Sequence, residues 1–184
     1  VVAIIAILAA IAVPNFLEAQ VRAKVSRCQA DMRTLETAIT TYKIDSNKWP
    51  HDAHYYTSVA NPAVPCNGMN DAYVYAAMTT PIAYISSIPI DGFQGAAKAV
   101  DGAGAGVATT NPDPYYWYYS DGAIQQVNAV EPGDIMGEWL LASPGPDKSW
   151  GYGEWNIVRY VNNSRMYDSS NGTVSYGDIV SFGP

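Results

Sequence analysis

Near the end of the chain, YDSSNGTVSYGD spaces Asp168, Asn171, Ser175 and Asp178 around two glycine turns. Hard oxygen donors on closely spaced turns are what a calcium ion takes, about six to eight of them at roughly 2.3–2.6 Å. Asp147, after the PGP turn, can close such a set from a neighbouring loop. The same residue types beside glycine also cap turns through the backbone, so turn chemistry alone is the alternative reading. His51 and His54 are the only histidines and flank Asp52, a spacing that holds a metal from a loop or merely decorates a solvated one. Cys28 and Cys66, the two cysteines, allow one disulfide in an oxidising compartment or remain two thiols. GAGAG at 102–106 lacks the strand, helix and spacing of a dinucleotide turn, and no nucleophile elbow, P-loop or H-E-x-x-H is present. The expectation is a protein that is not an enzyme. Asn162 and Asn171 open glycosylation acceptor patterns short enough to arise by chance.

The elements that must position these residues fall into two parts. Residues 1–13, VVAIIAILAAIAV, carry no charge and only aliphatic side chains. As a helix they measure about 20 Å, short of the ~30 Å hydrocarbon core, so by themselves they are not expected to span a bilayer. No basic region precedes them and no cleavage site follows, which argues against a signal peptide; the run reads as the inside of a longer apolar segment. Pro14 removes one backbone donor and crowds the carbonyl of Ala10, predicting a kink or a loosened turn. Beyond it Val21, Val25, Cys28, Met32, Leu35, Ile39 and Tyr42 recur at steps of three and four, with charges between them, predicting one buried stripe on a long helix. DSNKWP should end that helix near residues 45–47.

The remainder reads as one domain, 49–184, joined to a helical part, 1–48, that divides into an apolar segment (1–14) and an amphipathic half (15–48). A short helix or strand is expected at 71–80 and an extended piece at 83–88, whereas DGAGAGVATTNPDP (101–114) is a loop. Strands are expected in PYYWYYS (114–120), AIQQV (123–127) and EWLLAS (138–143), with Ser120, Asp121 and Gly122 turning between the first two. Alternation places Tyr115, Trp117 and Tyr119 on one face and Tyr116 and Tyr118 on the other. One face should pack on the helix; the other is left for subunit contacts, adhesion or ordinary surface.

Hydrophobic residues make up 48% of the 184 residues and charged ones 15%, which excludes disorder and leaves room for one sizeable core. The net charge is -7, yet Arg22, Lys24, Arg27, Arg33, Lys43 and Lys48 concentrate the cations in the first fifty residues. An acidic remainder argues against a nucleic-acid partner, whose phosphates require a basic field.

AIIAILAAIAVPNFLEAQ closely resembles the N-terminal helix of type IV pilins and type II secretion pseudopilins, and DMRTLETAITTYKIDSNKWP resembles the helix end and first loop of major pseudopilins. LLASPGPDKSWG and YDSSNGTVSYGDIVSFGP look, less specifically, like the ending of pseudopilin-like proteins. The resemblance covers about the first fifty residues well and the middle not at all. It implies that the helix normally starts about two turns earlier, with a methylated phenylalanine and a glutamate that have no counterpart here. It implies an α+β, pilin-like fold in which a long helix packs on a small antiparallel sheet with extensive loops. The expected protein is a structural subunit: an inner-membrane resident that assembly machinery extracts into an extracellular pilus or a periplasmic pseudopilus.

In that reading Val1, Val2, Ile4, Ile5, Ile7, Leu8, Ile11, Val13, Pro14 and Phe16 form a segment that faces membrane lipid first and copies of itself later. Each large aliphatic among them gains about 1.5–3 kcal/mol on leaving water. Ala3, Ala6, Ala9, Ala10 and Ala12 permit close helix approach. Glu18, Arg22, Lys24, Asp31 and Arg33 are placed to set register between copies. The resemblance also implies that calcium, seen in the C-terminal loops of some major pseudopilins, is the cofactor to look for. The rival expectation is a membrane-anchored binding or adhesion domain that never polymerises.

Overall fold

The computed structural model of the chain describes residues 2–51, 72–94, 114–120, 137–148, 166–168, 170 and 177–184. A single helix, α1, runs Val2–Ser46 without a break at Pro14. Proline's own φ is helical and it withholds only one N–H, so a long helix absorbs it and the assignment continues on both sides. Thr34, Thr37 and Thr41 sit in the helix with their hydroxyls donated to the carbonyls one turn back, at 3.1, 2.9 and 2.7 Å. The helix ends where DSNKWP predicts. Asn47 takes a left-handed backbone (φ 56°) and returns its N–H to Lys43 O at 2.8 Å, which satisfies an otherwise orphaned carbonyl.

The expected stripe is the buried one. Val25, Cys28, Met32, Leu35, Ala38 and Ile39 are buried, and Val21 packs at the edge of the same core. Ala38 joins the stripe, although its small side chain gave no periodic signal.

A short helix, α2, spans Ala72–Thr79 and carries Tyr75 and Met78 into the core. Residues 83–88, expected to be extended, instead fold back over the end of α2: the N–H groups of Tyr84 and Ile85 both reach Met78 O, at 2.8 and 3.3 Å. Burial of Ile85 against the core favours this wrap over a strand that would have no partner beside it. Pairing begins only at Ile90, which bridges Tyr115.

Three strands, β1 (Trp117–Ser120), β2 (Trp139–Ser143) and β3 (Ile179–Phe182), form an antiparallel sheet in the order β1-β2-β3. Tyr118 pairs with Leu141, and Leu141 with Ser181, so these three share a face. That face meets α1, because Ser181 Oγ donates to Glu36 and Tyr116, two residues before Tyr118, donates to Asp31. The alternation expected in the Tyr-rich segment holds: Tyr116, Tyr118 and Ser120 are buried, while Tyr115, Trp117 and Tyr119 are half-buried. β2 is buried at all five positions, as a central strand covered on both faces must be. β3 was not expected, since its residues were read as part of a turn-rich ending. AIQQV, the turn at 120–122 beyond Ser120, and the loop 101–113 lie outside the described residues. A long helix with a small antiparallel sheet makes the chain an α+β protein.

Candidate functional site

The amino-terminal part of α1 stands bare. Val2, Ile4, Ile5, Ile7, Leu8, Ile11, Val13, Phe16 and Leu17 are all between 54% and 81% exposed, and Pro14 is exposed with them. Val1 lies outside the described residues. Because the helix does not stop at Pro14, the apolar surface is longer than residues 1–13 alone suggest. An 18-residue window of α1 is strongly apolar and none of it is buried. At 1.5 Å per residue that window measures about 27 Å, so the helix is long and apolar enough to cross a membrane, which corrects the expectation of a segment too short to span. Large aliphatics on every side of one helix exclude a simple amphipathic docking stripe; such a cylinder matches a surrounding apolar medium.

A polar cluster at the middle of α1 adds to the core packing that joins the helix to the head. Tyr116 donates its hydroxyl to Asp31 Oδ2 at 3.1 Å, and Tyr75 donates to Tyr116 O at 2.7 Å. Asp91, 2% exposed, accepts the Phe93 N–H on Oδ1 at 2.8 Å, while its Oδ2 has no hydrogen-bond partner. Burial raises the Asp91 carboxyl above the ordinary carboxylate range; the Ser143 hydroxyl and the Phe93 N–H pull the other way and are outweighed. The Tyr116 phenol is raised too, first by burial and then by the negative charge available at Cys28, Asp91 and Asp31. Cys28, in the covered part of α1 and outside the apolar segment, is a free buried thiol pushed up to about 12, chiefly by burial and then by Asp91. A thiol that far up is no nucleophile at neutral pH. Cys66 lies outside the described residues, and with it the disulfide proposed for Cys28.

A second fastening lies at the far end of α1. Trp49 donates its indole N–H to Glu138, packs edge-on to Trp139 with centroids 6.3 Å apart, and receives Lys43 5.0 Å above its ring. Gly183 closes this corner: its N–H reaches Trp139 O at 2.9 Å, and a Cβ there would fall 2.2 Å from Trp139 Nε1. No pattern in the sequence announces this corner, because its members come from three distant segments.

Of the calcium candidates, Asn171 and Ser175 lie outside the described residues. Asp178 is fully buried, and its carbonyl accepts the Tyr167 N–H at 2.8 Å within a bridge between Met166 and Asp178. Asp168 is exposed; the Ser170 N–H donates to its Oδ1 at 2.8 Å, and hydrogen bonding from Ser170 holds its carboxyl below the usual range. Asp147 is half-buried in the turn after Gly145, a residue at φ 69° whose Cβ would lie 2.8 Å from Gly177 O. The turns at 145–148, 166–168 and 177–178 therefore converge. Yet among the described residues no three His, Cys, Asp or Glu side chains gather in a way that could hold a metal. Asp168 makes the contact that turn capping predicts. His51 is exposed, its imidazole lowered by partial burial and by Lys48; His54 lies outside the described residues.

Comparison with known protein families, with curated proteins and with solved structures finds no match to this chain.

Proposed function

We propose that the chain is a structural subunit that polymerises through the apolar part of α1 into a type IV pilus-like filament, as a pilin or a pseudopilin with a pilin-like fold. One observation carries the reading. A continuous helix is apolar and uncovered on all sides over its first sixteen or so described residues, then locked beneath its own head over the rest. Leaving nine large apolar side chains in water would forfeit about 1.5–3 kcal/mol for each that an apolar partner could cover. Membrane lipid meets that need before assembly and the helices of neighbouring copies meet it afterwards. The same surface serves both because neither medium asks for more than apolar contact and close approach at Ala3, Ala6, Ala9, Ala10 and Ala12. Head-to-tail use of unlike patches yields an open helical polymer. The subunit would pass from the inner membrane to an extracellular or periplasmic filament, handed on by membrane assembly machinery.

The rival is a domain anchored by the same helix that never assembles. Electron microscopy of sheared surface material, with mass spectrometry of the filaments, separates the two. Filaments composed of this chain are expected; recovery only as monomer in the membrane fraction sinks the polymer reading and leaves the anchor. Within the polymer reading, a melting temperature that falls on calcium removal would favour the pseudopilus form.

A further inference from the structure

Between the bare rod and the covered half of α1 lies a basic collar. Arg22, Lys24 and Arg27 are exposed; at about 100° per residue Lys24 and Arg27 lie about 60° apart on one side of the helix and Arg22 stands on the other side of its exposed surface. Arg22 is engaged by Glu18 one turn back; Arg27 stands 3.7 Å from Asp31 with its side chain 78% exposed, and Lys24 makes no ion pair among the described residues. With Arg33 added, residues 18–33 carry four cations against Glu18 and Asp31, whereas the whole chain is at -7. A net +2 here leaves -9 for everything else, so the positive charge is a local feature in an acidic protein.

Position gives that charge its meaning. Leu17 is the last exposed aliphatic of the rod, and Arg22 and Lys24 follow it by roughly 8 and 11 Å along the axis. Helical side chains lean toward the N-terminus, so these long stems reach back toward the end of the apolar segment. With the rod in hydrocarbon, their charged ends come to the level of lipid phosphates, where long basic side chains settle. Glu18, the one acid that would be repelled there, is already neutralised by Arg22. A subunit that passes from the inner membrane to an extracellular or periplasmic filament holds its head, and with it the collar, on the non-cytoplasmic side. The general bias in loop charge does not put basic residues there, so orienting the span is not its evident role.

We infer that Arg22, Lys24 and Arg27 dock the chain on the anionic phospholipid headgroups of the bilayer that holds the rod before assembly. The inference rests on the membrane-resident stage of the proposed function and is independent of polymerisation. The rival occupant is the acidic head of a second copy.

The full chain, carried in detergent, is offered phosphatidylcholine vesicles and vesicles of the same acyl chains containing about 30% phosphatidylglycerol, and its distribution is read by flotation. At about 0.05 M salt a preference of roughly tenfold or more for the anionic vesicles is expected, collapsing near 0.5 M as the field is screened. The double variant Lys24→Gln/Arg27→Gln, which keeps the Glu18–Arg22 pair, should float with both vesicle types and lose most of the preference. Equal distribution of the parent chain, or a preference that survives in the variant, overturns the inference while leaving membrane residence intact. A variant unchanged in lipid preference but weakened in self-association within phosphatidylcholine assigns the collar to a second copy, which also overturns it. Flotation with neither vesicle removes the membrane stage and this inference with it.

Discussion

Both halves of α1 carry large aliphatic side chains, yet in one half these are covered and in the other bare. Leu35 and Ile39 are fully buried, whereas Ile7 and Leu8, equally aliphatic, are 62% and 61% exposed. Helix formation does not distinguish them, since the helix is continuous through both and Pro14 withholds only one backbone N–H. The difference is the arrangement of polar residues. Charges interleaved after residue 18 leave a single apolar stripe that one sheet can cover, while an uncharged cylinder offers no polar face to turn toward water. A continuous helix can thus carry two kinds of surface, with the contacts that hold the head in one half and an uncovered apolar surface in the other.

That division can be broken most forcefully from the covered side. Leu35→Asp puts an unpaired charge at a site with no exposure and should cost on the order of 4 kcal/mol or more, enough to unfold the head in a denaturant titration. From the bare side, Ile7→Lys should leave the head's melting temperature within about a degree while reducing membrane insertion by about 3 kcal/mol, read as loss from the membrane fraction. If Ile7→Lys destabilised the head instead, the two halves would not be energetically separate.

Smaller effects sharpen where the boundary lies. Gly183→Ala drives a methyl into the Trp139 indole and should lower stability by about 1–3 kcal/mol without touching membrane insertion. Tyr116→Phe removes the hydroxyl that ties β1 to Asp31 of α1 and should cost about 1 kcal/mol in denaturant stability. The gentlest probe is pH. Because burial raises Asp91, its contribution is fully present below the ordinary carboxylate value of roughly 3.9 and is lost as pH rises through the folded value. Asp91→Asn should therefore gain on the parent chain as pH rises across that window. Melting curves of both proteins from acid to neutral pH test it, and a constant difference would place Asp91 in contact with water.

Much of this was legible in local pattern. The stripe from Val25 to Ile39, the stop before Trp49, the alternation in Tyr116 and Tyr118 and the strand around Leu140 and Leu141 all follow from periodicity and turn residues, and all are present. The misses share a cause. β3 is four residues of IVSF after a glycine turn, too short to show a period, and it is a strand because β2 lies beside it. Residues 83–88 look extended in isolation but fold back, because Met78 O and the core beneath Ile85 offer better partners. The Trp49–Glu138–Trp139–Gly183 corner had no sequence signal, since contacts between residues that far apart leave none in a single chain.

By itself the sequence determined which stretches were apolar all round, which were apolar on one side, and where the long helix had to stop, because those properties depend on neighbours within a few residues. Only the tertiary structure decided which apolar surface would be covered. The sheet supplies one face, its registered strands turn Tyr116, Tyr118, Leu141 and Ser181 toward α1, and that face meets the charged, striped half. Hydroxyls and carboxylates on that half give the head specific bonds that the uncharged segment lacks. The apolar segment stays uncovered.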